Sequence, residues 1–153
     1  MNTKLADQPA TTGAEFHPFE VDVGIVSNLI HSQNGTVATA IAELVSNSLD
    51  AGAREVQVEL NKESFVVSDN GGGFADEASV LLYFKRFGTP HVEGDAKYGR
   101  FRIGRGQIMS FAKATWHSKS FRMTADVGSG ATGFAFEKEA PFFDGCKVQG
   151  EFY

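Results

Sequence analysis

The stretch from residue 37 to residue 53, VATAIAELVSNSLDAGA, decides the fold class of this 153-residue chain. At about 100° per residue, the side chains of Glu43, Asn47 and Asp50 fall within about 60° of one another on a helix. The leucines, valines and isoleucine fall on the other side, and no lysine interrupts the polar side. The pattern predicts a helix from Val37 to Leu49 with one side in a core and two carboxylates and an amide on the other.

Two interpretations of this polar side stay open at this point. An ordinary amphipathic helix also exposes a polar side to solvent. However, an acid and an amide one turn apart can hold a hard cation through oxygen and position a water molecule.

A hairpin and a glycine-rich loop follow the helix. Residues 55–60 alternate between polar and apolar, and residues 64–68 form a second strand-like run after a short turn. Asp69-Asn70-Gly71-Gly72-Gly73-Phe74 comes next. A carboxylate at the end of a buried strand needs a fixed donor. We expect the donor to be an exocyclic amino group of a ligand whose flat ring lies against the glycine backbone, and a simple Asx or glycine turn is the alternative.

The remainder of the chain predicts further helices and strands in an α+β order. We expect Asp76 to cap a helix that runs to about Phe87. A long glycine-rich loop, Gly88–Gly106, is expected after it, followed by a short helix, Gln107–Ala112, whose N-terminus follows Gly104-Arg105-Gly106. Three strand-like runs complete the chain: Thr115–Val127, Thr132–Lys138 and Cys146–Tyr153.

Charge and glycine are concentrated in one part of the sequence. Residues 85–122 carry nine Lys or Arg and two acids, whereas the rest carries five bases and seventeen acids, which gives +7 and −12 and a net charge of −5. Eight of the 17 glycines fall within residues 71–106. A basic, glycine-rich segment in an acidic chain favours a local anionic ligand, and phosphate suits it because glycine lets backbone N–H groups surround an oxyanion. A surface loop with solvated charges and a nucleic-acid-binding surface are the alternatives.

Composition excludes several classes of protein. A hydrophobic content of 42% is too high for a disordered chain, and no run of about 18 apolar residues predicts a membrane span. The N-terminus lacks the apolar core of a signal peptide, and the single cysteine, Cys146, favours a reducing, cytoplasmic setting. We expect a disordered leader over residues 1–14 and one domain over residues 15–153, part of a longer protein.

Three motifs in this order carry a family resemblance. Residues 43–53, residues 69–74 and Gly104-Arg105-Gly106 closely resemble the motifs of the GHKL ATPase superfamily, which includes DNA gyrase B subunits, MutL mismatch-repair ATPases, ninety-kilodalton heat-shock chaperones and histidine kinases. Residues 145–148 are similar to a fourth motif. The resemblance spans about residues 35–150. The sequence of the first motif is more similar to the MutL, chaperone and MORC-type branches than to histidine kinases.

The resemblance implies a Bergerat fold, a two-layer α/β sandwich with a mixed, mostly antiparallel sheet and helices on one face. It implies that Glu43 is the general base that activates water, that Asn47 binds Mg²⁺ bridging the phosphates of ATP, and that Asp69 accepts the adenine amino group. The other residues that it implies around the nucleotide are Asp50, Gly71, Gly73, Phe74, Gly104, Arg105, Gly106, Gln107 and Cys146. Cys146 stands where relatives usually have a threonine.

The function implied is Mg-dependent ATP binding with slow hydrolysis, which drives a conformational and dimerisation switch in a homodimer of the full-length protein. In gyrase-like and MutL-like relatives a lysine from a following domain completes the γ-phosphate site, so this chain alone is expected to bind rather than to hydrolyse. The segment Gly88–Gly106 is expected to act as a lid that closes over the γ-phosphate. The alternatives are a nucleotide-sensing or scaffold module without catalysis and a nucleic-acid-binding domain that uses residues 85–122.

Overall fold

The computed structural model describes residues 35–85, 104–131 and 133–153. The predicted leader, most of the predicted lid and the end of the helix expected to reach Phe87 lie outside these residues.

The described chain forms three α-helices, six strands and one short 3₁₀ turn. The helices are α1 (Val37–Asp50), α2 (Glu77–Lys85) and α3 (Gly104–Phe111). The strands are β1 (Val56–Leu60), β2 (Ser64–Asp69), β3 (Ala112–Lys119), β4 (Phe121–Ala125), β5 (Phe134–Glu137) and β6 (Phe143–Phe152), and the 3₁₀ turn is Val127–Ser129.

The six strands form one sheet in the order β1-β2-β6-β3-β4-β5. The C-terminal strand β6 therefore lies in the middle, between the N-terminal hairpin and the β3–β4–β5 meander. Each of the five described pairings is antiparallel, in line with the mostly antiparallel sheet that the family resemblance implies. The α+β class and the two-layer arrangement are confirmed.

The three helices pack on one face of the sheet. Residues of β2, β3 and β5 alternate in burial, whereas β1 is exposed beyond Val56. One row across the sheet contains Val67, Val148, Trp116 and Met123 in register, all buried. The helices cover this row with apolar side chains that belong to the same core cluster: Ala40, Ile41, Leu44, Val80, Phe84, Ile108 and Met109. The opposite face of the sheet carries the alternate, mostly polar side chains.

The structure confirms the strongly patterned elements and corrects two others. Helix α1 and the β1–β2 hairpin form as predicted. The predicted single run Thr115–Val127 is wrong, because it divides into β3 and β4 at Ser120. The turn is made by Lys119 in the left-handed region (φ 53°), so no glycine or proline marks it in the sequence. Helix α3 begins at Gly104 rather than at Gln107.

We expect the core to depend on Phe84 of α2. Its ring, 3% exposed, contacts Trp116 at 5.1 Å and Phe134 at 5.1 Å between ring centroids. Phe84→Ala should lower the free energy of unfolding by about 3–5 kcal/mol, because the helix would leave a cavity over the sheet. Leu82→Ala on the same helix is the control, since Leu82 is 42% exposed. Equal losses for the two variants in urea titrations would contradict this packing.

Candidate functional site

Helix α1 places three of the predicted site residues on one side. Thr36 caps the helix: its Oγ1 accepts from the N–H of Thr39 at 3.2 Å, and Thr39 Oγ1 accepts from the N–H of Thr36 at 2.8 Å. Glu43, Asn47 and Asp50 are all half-buried. The helix therefore presents these groups at a partly desolvated surface, where their charges act more strongly than in bulk water.

Asp69, the last residue of β2, joins three parts of the fold. Its Oδ2 accepts from the hydroxyl of Ser48 on α1 at 2.7 Å. Its Oδ1 accepts from the N–H of Gly71 at 2.8 Å and from the N–H of Cys146 on β6 at 3.3 Å. The carboxylate thus has the fixed donors expected from the sequence, but they come from the protein itself. A carboxylate has about four lone-pair positions, so three internal donors leave it able to accept one more hydrogen bond.

The glycine loop after Asp69 is attached to the C-terminal end of α1. Asn70 Oδ1 accepts from the N–H groups of Arg54 and Glu55, both at 2.9 Å. The N–H of Gly72 donates to the carbonyl of Ala51 at 3.0 Å. The loop and the helix that carries Glu43 and Asn47 are consequently held together.

A buried serine fixes the far end of the same loop. The hydroxyl of Ser118, which is fully buried on β3, donates to the carbonyl of Gly145 at 2.6 Å and accepts from the N–H of Phe74 at 3.0 Å. Gly73 has φ +65°, and a Cβ there would be 2.2 Å from Ser118 Oγ. Gly145 has φ +94°, and a Cβ there would be 2.0 Å from the carbonyl oxygen of Asp69. Both glycines are required by conformation and by space.

Aromatic residues connect the loop to α2 and to Asn47. The ring of Phe74 meets Tyr83 edge-on at 5.2 Å between centroids. The hydroxyl of Tyr83 accepts from Nδ2 of Asn47 at 3.2 Å. The amide oxygen of Asn47 is then the atom available to a cation.

Cys146 pairs with Asp69 in register, so the two side chains lie on the same side of the sheet. Burial of the thiol, helped by the neighbouring carboxylate, raises the pKa of Cys146 from 9.0 to about 12. The thiol is therefore protonated at neutral pH.

Helix α3 supplies the third predicted motif. The backbone of Gly104, Arg105 and Gly106 forms its first turn, and the side chains of this turn lie outside the described part of the chain. Gln107 lies against the start of α1, where its Oε1 would be 3.2 Å from a Cβ on Gly35. No described hydrogen bond joins Gln107 to another predicted site residue.

The donor set fits a magnesium–nucleotide complex. Within the described residues, two buried side-chain oxygens accept no hydrogen bond, Oδ1 of Asp50 and Oε1 of Gln107. Buried oxygens without donors are costly, so they favour a polar ligand or a cation nearby. The described residues contain no group of three or more His, Cys, Asp or Glu side chains that could hold a metal ion alone. Magnesium often uses one or two protein oxygens and completes its shell with phosphates and water.

Sequence reasoning missed three residues that organise the site, namely Ser48, Ser118 and Tyr83. Ser48 lies on the apolar side of α1, about 140° from Glu43, and a serine there needs a partner. Ser118 lies at a core-facing position of β3 and gives the same signal. The signal for Tyr83 is weaker, because a tyrosine on a helix fits a core equally well.

Comparison with known proteins identifies the family. The protein-family model described as "Histidine kinase-, DNA gyrase B-, and HSP90-like ATPase" matches residues 35–128. The chain belongs to this family. It is a nucleotide-binding domain of the GHKL type. None of the described helices is long and apolar enough to cross a membrane.

Among curated relatives the chain is similar to mismatch-repair proteins. It is 34% identical over 105 residues to the DNA mismatch repair protein MutL of Exiguobacterium sibiricum, covering 60% of this chain and 17% of that protein. It is 51% identical over 55 residues to the mismatch repair endonuclease PMS2 of Gallus gallus, covering 34% of this chain and 6% of that protein. It is 35% identical over 68 residues to MutL of Streptococcus sanguinis, covering 42% of this chain and 10% of that protein. The chain thus spans less than a fifth of the length of these relatives.

We expect Gly73→Ala to destabilise the glycine loop and Gly72→Ala to leave it intact. The left-handed backbone of Gly73 and the hydroxyl of Ser118 exclude a Cβ, whereas a Cβ on Gly72 would meet its nearest atom at 3.7 Å. Thermal unfolding should show a loss of about 1–3 kcal/mol for Gly73→Ala and less than about 0.5 kcal/mol for Gly72→Ala. A tolerated Gly73→Ala would mean that the loop has another conformation.

Proposed function

We propose that this domain binds ATP with Mg²⁺ and hydrolyses it slowly within a longer protein, where the nucleotide state drives a conformational and dimerisation switch. The observation that carries the proposal is the Asp69 carboxylate. It is fixed by three internal donors, retains capacity for one more hydrogen bond, and is attached through Ser48 to the helix that presents Glu43 and Asn47.

The residues divide into two groups by their chemistry. At the base end, Asp69 would accept the adenine amino group, while Gly71, Gly73 and Phe74 form the loop beside it. At the phosphate end, Asn47 would give its amide oxygen to Mg²⁺, which supplies charge neutralisation to the phosphates when bound. Glu43, on the same side of α1, would accept a proton from the attacking water.

Six further residues are assigned to the surroundings of the nucleotide. Asp50 contributes the buried, unpartnered oxygen, which supports a place at the base end. Cys146 contributes its backbone N–H to the Asp69 carboxylate, and its protonated thiol stands on the same side. The first turn of α3, Gly104-Arg105-Gly106, would direct the N–H groups of a helix N-terminus at phosphate, with Gln107 following.

Two further statements stay predictions from the sequence. A homodimer and a cytoplasmic location are both consistent with similarity to MutL proteins.

Nucleic-acid binding by residues 85–122 is the second candidate function. Its described support is a cross-strand row of Lys147, His117 and Arg122 on the open face of the sheet. The row also includes Glu137, which pairs with Arg122 at 3.3 Å. The open face carries charges of both signs, which weakens the attraction for a nucleic-acid backbone. ATP binding at the Asp69 site is therefore the better supported of the two functions.

Asp69→Asn tests the base end. The Asn amide retains an oxygen for the N–H groups of Gly71 and Cys146. The Ser48 hydroxyl can accept from the new NH₂ group and donate its own hydrogen to the carbonyl of Leu44, which lies 3.2 Å from it in the wild type. The protein should therefore stay folded, while an NH₂ group would face the adenine amino group. We expect calorimetry to show a loss of ATP binding of about 1–3 kcal/mol.

Asp144→Asn, at an exposed position of β6, is the matched control for the charge change. It should bind ATP as the wild type does. Unchanged ATP affinity in a folded Asp69→Asn protein would exclude Asp69 from the base pocket.

Glu43→Ala separates binding from hydrolysis. Because a general base acts on water and not on the bound ground state, Mg·ATP affinity should stay within about twofold while turnover by the full-length protein falls by about 10²-fold or more. Glu55→Ala, at an exposed residue before β1, should change neither quantity. Turnover by Glu43→Ala at the wild-type rate would assign the base to another group.

A further inference from the structure

Tyr83 is the described residue that contacts the amide of Asn47 from outside helix α1. The hydrogen bond runs from Nδ2 of Asn47 to the phenol oxygen over 3.2 Å. The tyrosine ring is held from two sides, by Phe74 at 5.2 Å and by Phe84 at 5.1 Å between centroids, both edge-on. Since Phe84 is buried against Trp116, the phenol is attached to the core of the sheet.

The phenol can accept from Nδ2 or donate to Oδ1 of an amide, and in this structure it accepts from Nδ2. The two ends of an Asn side chain have nearly the same shape, but only the oxygen can coordinate a hard cation. With Nδ2 bonded to the phenol, Oδ1 is directed away from Tyr83. A cation on Oδ1 also polarises the amide and makes its N–H a better donor, so metal binding and the bond to Tyr83 reinforce each other.

We propose that Tyr83 is a positioning residue for Asn47, one that strengthens the Mg²⁺-dependent part of nucleotide binding by this domain. The inference rests on the proposed function, because it takes Asn47 as the magnesium ligand. Tyr83 acts through Asn47 and contacts neither the metal nor the nucleotide. Deleting its hydroxyl removes the acceptor that Nδ2 uses when Oδ1 binds a cation, and it leaves the base end unchanged.

The test is Tyr83→Phe, which retains the ring and its contacts and deletes the hydroxyl alone. ATP affinity is measured by calorimetry with Mg²⁺ and again with EDTA. We expect a three- to tenfold loss of affinity with Mg²⁺, the range for one net hydrogen bond, and a change within twofold in EDTA. Tyr153→Phe is the control, because it also removes one tyrosine hydroxyl with partners of its own, Gly128 and Asp126, and should change neither value.

Two outcomes of the calorimetry would overturn the inference. An equal loss with and without Mg²⁺ would make Tyr83 a residue of the pocket wall. A further loss when Tyr83→Phe is added to Asn47→Ala would show that the phenol does not act through Asn47, since the effects of residues in series do not add.

A second measurement needs no ligand and separates this inference from the proposed function. The side-chain amide protons of Asn47 are followed by NMR in the free protein, where loss of the bond in Tyr83→Phe should shift their resonances and speed their exchange with water. Unchanged Asn47 signals would overturn the inference even if the wild type binds Mg·ATP. Altered signals with a wild type that binds no nucleotide would overturn the proposed function and, with it, the role assigned to Tyr83.

Discussion

The carboxylate of Asp69 is the constraint on which the rest of the site depends. A half-buried charge at the end of a strand is stabilised by donors around it, and here the donors come from α1, the glycine loop and β6. Satisfying one charge therefore fixes the relative positions of three segments that are far apart in sequence. Ser48 and Asn47 are neighbours on α1, so Asp69 and the amide proposed to bind Mg²⁺ are held by the same turn of helix.

Much of the fold could be predicted because its signals are local. Helix α1 and the β1–β2 hairpin have strong periodicities of 3.6 and 2 residues, and both form as expected. Strand β4 could not be separated from β3, because Lys119 takes a left-handed conformation that sequence rules reserve for glycine or asparagine. Helix α3 begins earlier than predicted, because tertiary packing against α1 outweighs the poor helix propensity of Gly104 and Gly106.

The residues of the candidate site also fall into those that the sequence could identify and those that it could not. The residues on α1 and Asp69 were identifiable from spacing and from the cost of a charge at the end of a strand. Ser48, Ser118 and Tyr83 were not, because each acts through a partner 21 to 44 residues away that no local pattern contains. A serine at a core-facing position indicates that it has a hydrogen-bond partner. The identity of that partner follows only from the three-dimensional arrangement of the strands.

Cys146 gives this nucleotide pocket a resistance to oxidation. Peroxides and disulfides react with thiolates, and a thiol whose pKa is about 12 has roughly a thousandth of the thiolate of an ordinary cysteine at neutral pH. The sulfur beside Asp69 is therefore expected to survive redox conditions that modify exposed cysteines elsewhere in a cell. The proposed base end would thus retain a reduced thiol beside its carboxylate under oxidising conditions.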